Sequence, residues 1–372
     1  MSTLAANEPM IYLEEIAMKN VAAALAALLL ISCLSACKAG TGSTSASSSD
    51  SSSADEPLKL ETLRLELTRR EGLSSDTLMY AVQALPQALK SALANHGVEA
   101  GTVEVTVGAS PAATAQALEE GGVDLAVLPG DSFVEAGGSA VPLLTAHEHD
   151  GLPDSADPAD WKSGESVHSE TVSGGQRYLI LAGPSDYGLQ LANRAASDTP
   201  LTWDELDRAA WLLTPDETNM TDLWLADHYE GNTLSDLTGG AISTFPSGSG
   251  QDLLTALAAG DADVAVIPAD VRPDLASFWQ EDLKRPGGIF DETTVIGVTE
   301  KYYDTILAVR PGDEILAGEE FRSALAAAME EMSRVQSDVT GALGGVFSAP
   351  VSDGDLNGMR RLVTLGGLVL AR

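Results

Sequence analysis

Ala117-Leu118-Glu119-Glu120-Gly121-Gly122-Val123-Asp124-Leu125-Ala126-Val127-Leu128-Pro129-Gly130-Asp131 returns, without a gap, as Ala256-Leu257-Ala258-Ala259-Gly260-Asp261-Ala262-Asp263-Val264-Ala265-Val266-Ile267-Pro268-Ala269-Asp270. Each copy reads as the end of a helix, a glycine that closes it, and a short buried strand stopped by proline. Upstream the likeness continues: Val103–Val107 and Ile242–Phe245 read as strands. Small-residue loops follow them, Gly108–Pro111 and Pro246–Gly250, and then a helix. Strand, loop, helix, strand thus occurs twice, which specifies two parallel α/β units. The expectation is an α/β protein of two Rossmann-like lobes, with Asp124 and Asp263 in different sheets.

The remaining elements fit that plan. Leu63, Leu65 and Leu67 alternate with Arg64, Glu66 and Thr68 as an opening strand, and Ser75 or Asp76 can cap a helix running to Asn95. Arg177–Ala182 is apolar and carries the chain towards the second lobe. A short helix over Leu201–Arg208, a strand over Ala209–Leu213 and a helix over Thr218–Tyr229 follow. Ile306–Val309 reads as a strand returning to the first lobe and Phe321–Arg334 as a long helix, while the Gly- and Leu-rich last twenty or so residues give no clear pattern.

The N-terminal region reads as an address. Lys19 precedes the apolar run Val21–Ser32, too short to span a bilayer and suited to a secretory signal. Leu34-Ser35-Ala36-Cys37 resembles the bacterial lipobox, whose cysteine is acylated and becomes the new N-terminus. Glu8, Glu14 and Glu15 are unusual for a signal n-region and make Met18 a candidate start. Lys38–Glu56, rich in Ser, Gly and Asp, has too little to bury to offset the entropy of ordering and reads as a tether. The expected organisation is a signal at 1–36, a disordered tether at 37–57, a first lobe at 58–178 and 300–372, and a second at 179–299.

Composition removes several function classes. With 372 residues and a net charge of −34, the chain has no means of displacing counterions from nucleic acid. Its two cysteines, Cys33 and Cys37, both precede the folded body, which leaves neither a disulfide framework nor a cysteine-based zinc module. His147-Glu148-His149-Asp150 is the one metal-like cluster, but the Gly/Ser/Asp/Pro-rich stretch to Gly175 marks an exposed inserted loop, and no metal is expected. There is no G-x-S-x-G elbow and no phosphate-binding Gly-x-x-x-x-Gly-Lys loop, so neither an enzyme nor a cofactor is expected. The sequon at Asn219-Met220-Thr221 is read as accidental in a bacterial lipoprotein.

Five stretches carry a resemblance: AQALEEGGVDLAVLPGDSFV at 115–134, RYLILAG at 177–183, LTWDELDRAAWLLTPDETNMT at 201–221, FPSGSGQDLLTALAAGDADVAVIPADV at 245–271 and ILAVRPGDE at 306–314. In order and spacing the chain resembles, from about residue 60 to 335, the solute-binding lipoproteins of phosphate/phosphonate-type ABC importers, with the type II periplasmic-binding-protein fold. The resemblance implies two lobes joined by two crossovers, closing on a small oxyanion-bearing solute that is handed to a membrane permease. It implies a monomer, lipid-anchored through Cys37 on the extracytoplasmic face of a bacterial membrane. Three positions depart from the family pattern. Pro111 stands where a tyrosine is usual, Glu217-Thr218-Asn219-Met220 replaces a Ser-Thr-Ser-Gly-like run, and Pro268 replaces an acidic residue, with Asp270 two places on.

In open α/β sheets solutes bind beyond the carboxyl ends of strands, where helix N-termini present free N–H groups to anions. Four loops qualify by sequence: 68–75, 108–111, 215–221 and 247–250. The candidate ligand residues are Arg69, Ser74, Ser110, Ser132, Tyr178, Thr218, Asn219, Thr221, Ser247, Ser249 and Asp270. Arg69 supplies a guanidinium suited to bidentate oxyanion contact, and Tyr178 sits where the family places a tyrosine near the crossover. Any one of the hydroxyls and amides is equally an ordinary helix cap. The competing function is a ligand-sensing lipoprotein that signals to a membrane receptor.

Overall fold

The computed structural model describes residues 56–68, 75–146, 152–164, 174–197, 199–335, 343 and 345–370. The signal, lipobox Cys37, most of the tether, Arg69, Ser74 and the His147–Asp150 cluster lie outside the described residues. The first sheet has the order β11-β4-β10-β3-β1-β2, built from β1 (Leu58–Leu67), β2 (Val98–Val107), β3 (Leu125–Pro129), β4 (Val141–Ala146), β10 (Thr305–Val309) and β11 (Phe347–Pro350). The second, β7-β6-β8-β5-β9, uses β5 (Tyr178–Ala182), β6 (Trp211–Leu213), β7 (Ile242–Thr244), β8 (Val264–Pro268) and β9 (Thr294–Val298).

The two sheets repeat one arrangement. In the first, β1 runs parallel to both β2 and β3, and β10 lies antiparallel against β3. In the second, β6 runs parallel to β7 and β8, and β5 lies antiparallel against β8. The antiparallel strand in each case is the one fed by a crossover from the other sheet. This is the type II periplasmic-binding-protein fold, and Asp124 and Asp263 immediately precede corresponding strands of separate sheets.

Side-chain alternation explains why the strands read as unbroken apolar runs. Leu125 and Val127 of β3 face α1 (Ser75–Asn95), with its Leu85, Leu89 and Leu93. Ala126 and Leu128 face the opposite way, onto α2 (Pro111–Glu119) and α3 (Gly130–Ala136) through Leu118 and Phe133. In β8, Val264 and Val266 pack with Trp211, Met220 and Trp224, whereas Ala265 and Ile267 pack with Leu253, Leu257 and Trp279. Both faces are covered, so period-2 geometry demands apolar residues at every position. Each fully buried leucine here contributes roughly 1.5–3 kcal/mol of transfer free energy. Helices α4 (Asp186–Ala196) and α5 (Trp203–Asp207), with α6 (Pro215–His228) and α7 (Gly250–Ala259), cover the second sheet.

The glycine stops expected in the two repeats are present. Gly121 (φ 73°) and Gly260 (φ 78°) take the left-handed conformation that ends α2 and α7. The start of α6 differs from the expectation of a loop over 215–221 and a helix from Thr218. The helix begins at Pro215, because Thr214 and Glu217 form a capping box around a proline at the first turn. The C-terminal residues without a clear pattern form β11 and a helix, α9 (Asn357–Leu370), after α8 (Glu319–Val335). No described helix is long and apolar enough to cross a membrane.

Two crossovers join the sheets, one entering β5 and one entering β10. They pair with each other: Gln176 N–H donates to Tyr302 O at 2.7 Å and Tyr302 N–H to Gln176 O at 2.8 Å. Arg177 adds a bond from Nη1 to Thr299 O at 2.8 Å. Asp154, from the insert before β5, reaches both crossovers, with one carboxylate oxygen 3.5 Å from Arg177 Nε and the other 2.6 Å from Lys301 Nζ.

Candidate functional site

A cleft of about 970 Å³ opens where these crossovers meet the second sheet. Three elements of that sheet supply most of its wall. Beyond the carboxyl end of β6 come Thr214–Glu217, Asn219 and Met220; β8 ends at the lining Pro268, and beyond it come Asp270, Val271, Asp274 and Leu275. The N-terminus of α7 contributes Gly248–Gln251 and Leu253. Gln176, Tyr178, Tyr302 and Asp304 approach from the crossover side. This is the position that open α/β topology assigns to a ligand.

The two helix N-termini at the cleft are not equivalent. At α6 the chain supplies its own acceptors: Glu217 Oε2 accepts the Thr214 N–H at 2.5 Å, and Thr214 Oγ1 accepts that of Asp216 at 3.3 Å. Asp216 Oδ1 in turn accepts from Ser247 Oγ at 2.9 Å. Burial pushes the Glu217 carboxyl above the ordinary carboxylate range, against the lowering effect of its Thr214 bonds. At α7 the residue before the helix, Ser249, makes no side-chain capping bond. The first-turn N–H groups there have no intrahelical acceptor, and although Asp252 puts a carboxylate in that turn, no side chain caps it, so α7 is the end that can receive an anion from the cleft.

Among the described lining residues there is no lysine or arginine, while Asp216, Glu217, Asp270, Asp274 and Asp304 supply carboxylates. Gln176 Nε2 donates to Asp270 Oδ1 at 3.3 Å. Burial raises the Tyr302 hydroxyl to about 12, and the carboxylates of Asp131, Asp304 and Asp216 add to the rise. Tyr302 therefore stays a neutral donor at any physiological pH. Among the described residues no group of His, Cys, Asp and Glu is arranged to hold a metal ion.

Of the residues expected from sequence, Tyr178, Asn219, Ser249 and Asp270 line this cleft. Ser110 lies elsewhere, capping α2 by accepting the Ala113 N–H at 3.2 Å. Ser132 is half-buried and bonds Asp131, away from this lining. Thr218 and Thr221 donate to helix carbonyls, Thr214 O at 3.1 Å and Glu217 O at 2.7 Å, because residues 218 and 221 stand inside α6 rather than in a loop. Ser247 is spent on Asp216. Sequence reasoning missed Gln176, Tyr302 and Asp304. For Tyr302 and Asp304 the signal was the polar Lys301-Tyr302-Tyr303-Asp304 run immediately before the returning strand, a place only a crossover can occupy. It also missed Asp216 and Glu217, which the Thr-Pro-Asp-Glu capping signature at 214–217 marks as a first turn.

Residues 72–355 match the family described as the ABC transporter, phosphonate, periplasmic substrate-binding protein. The chain belongs to this family. It is therefore a transporter component whose family takes small anionic solutes outside the cytoplasm and works with an ABC permease. No match is found among curated proteins. Solved structures resemble it at low identity. PhnD1 of Prochlorococcus marinus, in complex with methylphosphonate, is 12% identical, with 83% of this chain and 98% of that one covered at a TM-score of 0.34. The aliphatic sulphonate binding protein SsuA of Escherichia coli is 13% identical over 84% and 94%, with a TM-score of 0.37. XAC2383 of Xanthomonas citri, bound to ATP, is 13% identical over 84% and 99%, with a TM-score of 0.41. Likeness at this level carries no argument about which solute this phosphonate-type binding protein takes.

Proposed function

We propose that this substrate-binding protein is anchored by a lipid on Cys37, captures a small oxyanion-bearing solute of the phosphonate or phosphate kind, and delivers it to a permease as a monomer. The bodies that close on the solute are residues 58–178 with 300–372 and residues 179–299, moving about the paired crossovers at Gln176 and Tyr302. The observation that carries the reading is the uncapped N-terminus of α7 opening into the cleft at Gly248–Gln251. A phosphonate oxygen there meets unpaired N–H groups and the positive end of a helix dipole at contact distance. The net charge of −34 does not forbid this, because charges more than about 8 Å away are largely screened at physiological salt. Closure follows from the higher affinity of the closed form for the solute.

The five lining carboxylates favour a second reading of the ligand, a zwitterion that carries an amino group beside its oxyanion. The sensing alternative shares the capture step and differs only in the membrane partner. A thermal-shift screen of the full chain tests the ligand class. A solute at about 100 times its dissociation constant adds about 2.7 kcal/mol of stability. Melting raised by phosphonates, phosphate or sulfonates supports the reading; melting raised only by neutral or purely cationic solutes overturns it. Loss of radiolabelled palmitate incorporation on Cys37→Ser tests the anchor.

A further inference from the structure

Helix α9 is built on one sheet and finishes on the other. It follows a turn at Asp353–Leu356, and Leu356 and Met359 sit in the core beneath the first sheet with Phe133 and Ile306. Tyr303 N–H donates to Met359 Sδ at 3.4 Å, which ties this end to the second crossover. Gly358 lies so close to that crossover that a Cβ would stand 2.9 Å from Glu300 Cβ. One turn further on, the contacts change sheets. Leu362 and Leu365, on one stripe of the helix, pack against the core cluster of the second sheet, while Val363 still faces the first. Arg361 pairs with Asp227 near the carboxyl end of α6 and lies 3.8 Å from Glu300.

We propose that α9 is a strap that holds the two sheets in one mutual orientation and so sets how readily the cleft closes. A continuous helix anchored through Leu356 and Met359 cannot keep Leu362, Leu365 and Arg361 on the second sheet once that sheet rotates about the crossovers. Closing therefore costs these contacts, and a change on the strap moves the open–closed equilibrium without touching the cleft wall. The inference rests on the solute-capture reading for its consequence, affinity, but the orientation of the sheets is measurable without any solute.

The test uses the full chain with Cys33→Ser and Cys37→Ser, labelled for energy transfer through Ala112→Cys at the start of α2 and Gln190→Cys on α4, both exposed and neither lining the cleft. Arg361→Glu, at a side chain 47% exposed, opposes Asp227 and Glu300 without opening a core. Leu362→Ala with Leu365→Ala removes the apolar contacts, and exposed Thr364→Ala on the same helix is the control. Arg361→Glu is expected to enlarge the short-distance population about fivefold, the effect of a ~1 kcal/mol contact. The double leucine variant should exceed it, and the control should match wild type. Distance distributions identical in wild type and both strap variants overturn the strap, and if the leucine variant fails to fold, Arg361→Glu alone decides. Titration with methylphosphonate, phosphate and ethanesulfonate separates the two claims. If strap variants shift the distances but none of these solutes shortens them, the strap stands and the oxyanion reading fails.

Discussion

Asp124 and Asp263 make the same pair of bonds to equivalent backbone partners, Arg64 and Ala210, in their two sheets. Asp124 Oδ2 accepts the N–H of Arg64 at 2.8 Å, and Asp124 N–H donates to Arg64 O at 3.0 Å. Asp263 Oδ2 accepts the N–H of Ala210 at 2.8 Å, and Asp263 N–H donates to Ala210 O at 2.9 Å. Each aspartate thus sets the register of its strand, β3 or β8, against the parallel neighbour, β1 or β6. The sequence repeat is a repeat of this joint.

The joint makes a paired prediction. Asp263→Ala orphans the Ala210 N–H and the Ser185 hydroxyl, which donates to Asp263 Oδ1 at 2.6 Å. Asp124→Ala orphans the Arg64 N–H and leaves the guanidinium of Arg64 without its carboxylate. Each variant should lose about 1–3 kcal/mol, and each Asn variant less, because Asn keeps an acceptor. Denaturant unfolding of the four variants checks this.

Gly130 is the point where the first sheet meets the second crossover. Its N–H donates to Asp304 O at 2.9 Å, and a Cβ would stand 1.9 Å from Tyr303 O and 3.0 Å from Met359 Cε. Backbone cannot give way as a side chain can. Gly130→Ala should therefore destabilise by about 1–3 kcal/mol, whereas Gly354→Ala, with only the tip of Ser352 nearby at 3.7 Å, should be close to neutral. Thermal melts of both variants test the contrast.

Glu217 gives a pH dependence of known sign. Burial raises its folded pKa above the unfolded value, so the native state binds the proton more tightly. Its contribution favours folding below the ordinary carboxylate pKa and declines as pH rises from there through the raised folded value. Glu217→Gln keeps an acceptor for the Thr214 N–H and removes the titration. Urea midpoints measured from pH 4 upward should fall more steeply for wild type than for Glu217→Gln; equal slopes would contradict the assignment.

Asp274 separates the two ligand readings. It lines the cleft as a carboxylate on the second-sheet wall. Removing a like charge near a bound oxyanion should tighten methylphosphonate in Asp274→Asn by about twofold to fivefold, a modest gain at high effective dielectric. An aminoalkylphosphonate should gain less or lose affinity, since its ammonium would lose a partner. Competition binding of the two compounds to wild type and variant measures the difference.

The sheet architecture was legible because the repeated strands are buried on both faces and their helices end on glycines at 121 and 260, signals set by local geometry. The start of α6 was not read, because the polar run Pro215–Thr221 reads as a binding loop although Thr214 and Glu217 carry the capping signature. The hydroxyls of Thr218 and Thr221 look identical in sequence whether they meet a solute or the carbonyl four residues back, and only helix phase separates the cases. Tyr302 and Gln176 became visible as cleft residues only once the crossovers were paired, a contact between segments far apart in sequence. The same holds for α9, whose meaning depends on which sheet each of its faces touches.

The central claim is that an oxyanion-bearing solute is held in the cleft by the α7 N-terminus. Calorimetric titration of wild type and Gly250→Asp with methylphosphonate, phosphate and ethanesulfonate tests it most directly. The Gly250 position has room for a side chain, with no atom closer than 3.5 Å to a Cβ there, so the variant adds a carboxylate at the first residue of α7, beyond the Asp252 already in its first turn. Wild type should show one saturable site for at least one of these solutes, and Gly250→Asp should lose it. Binding of equal strength in both proteins, or no heat with any of the three, would contradict it.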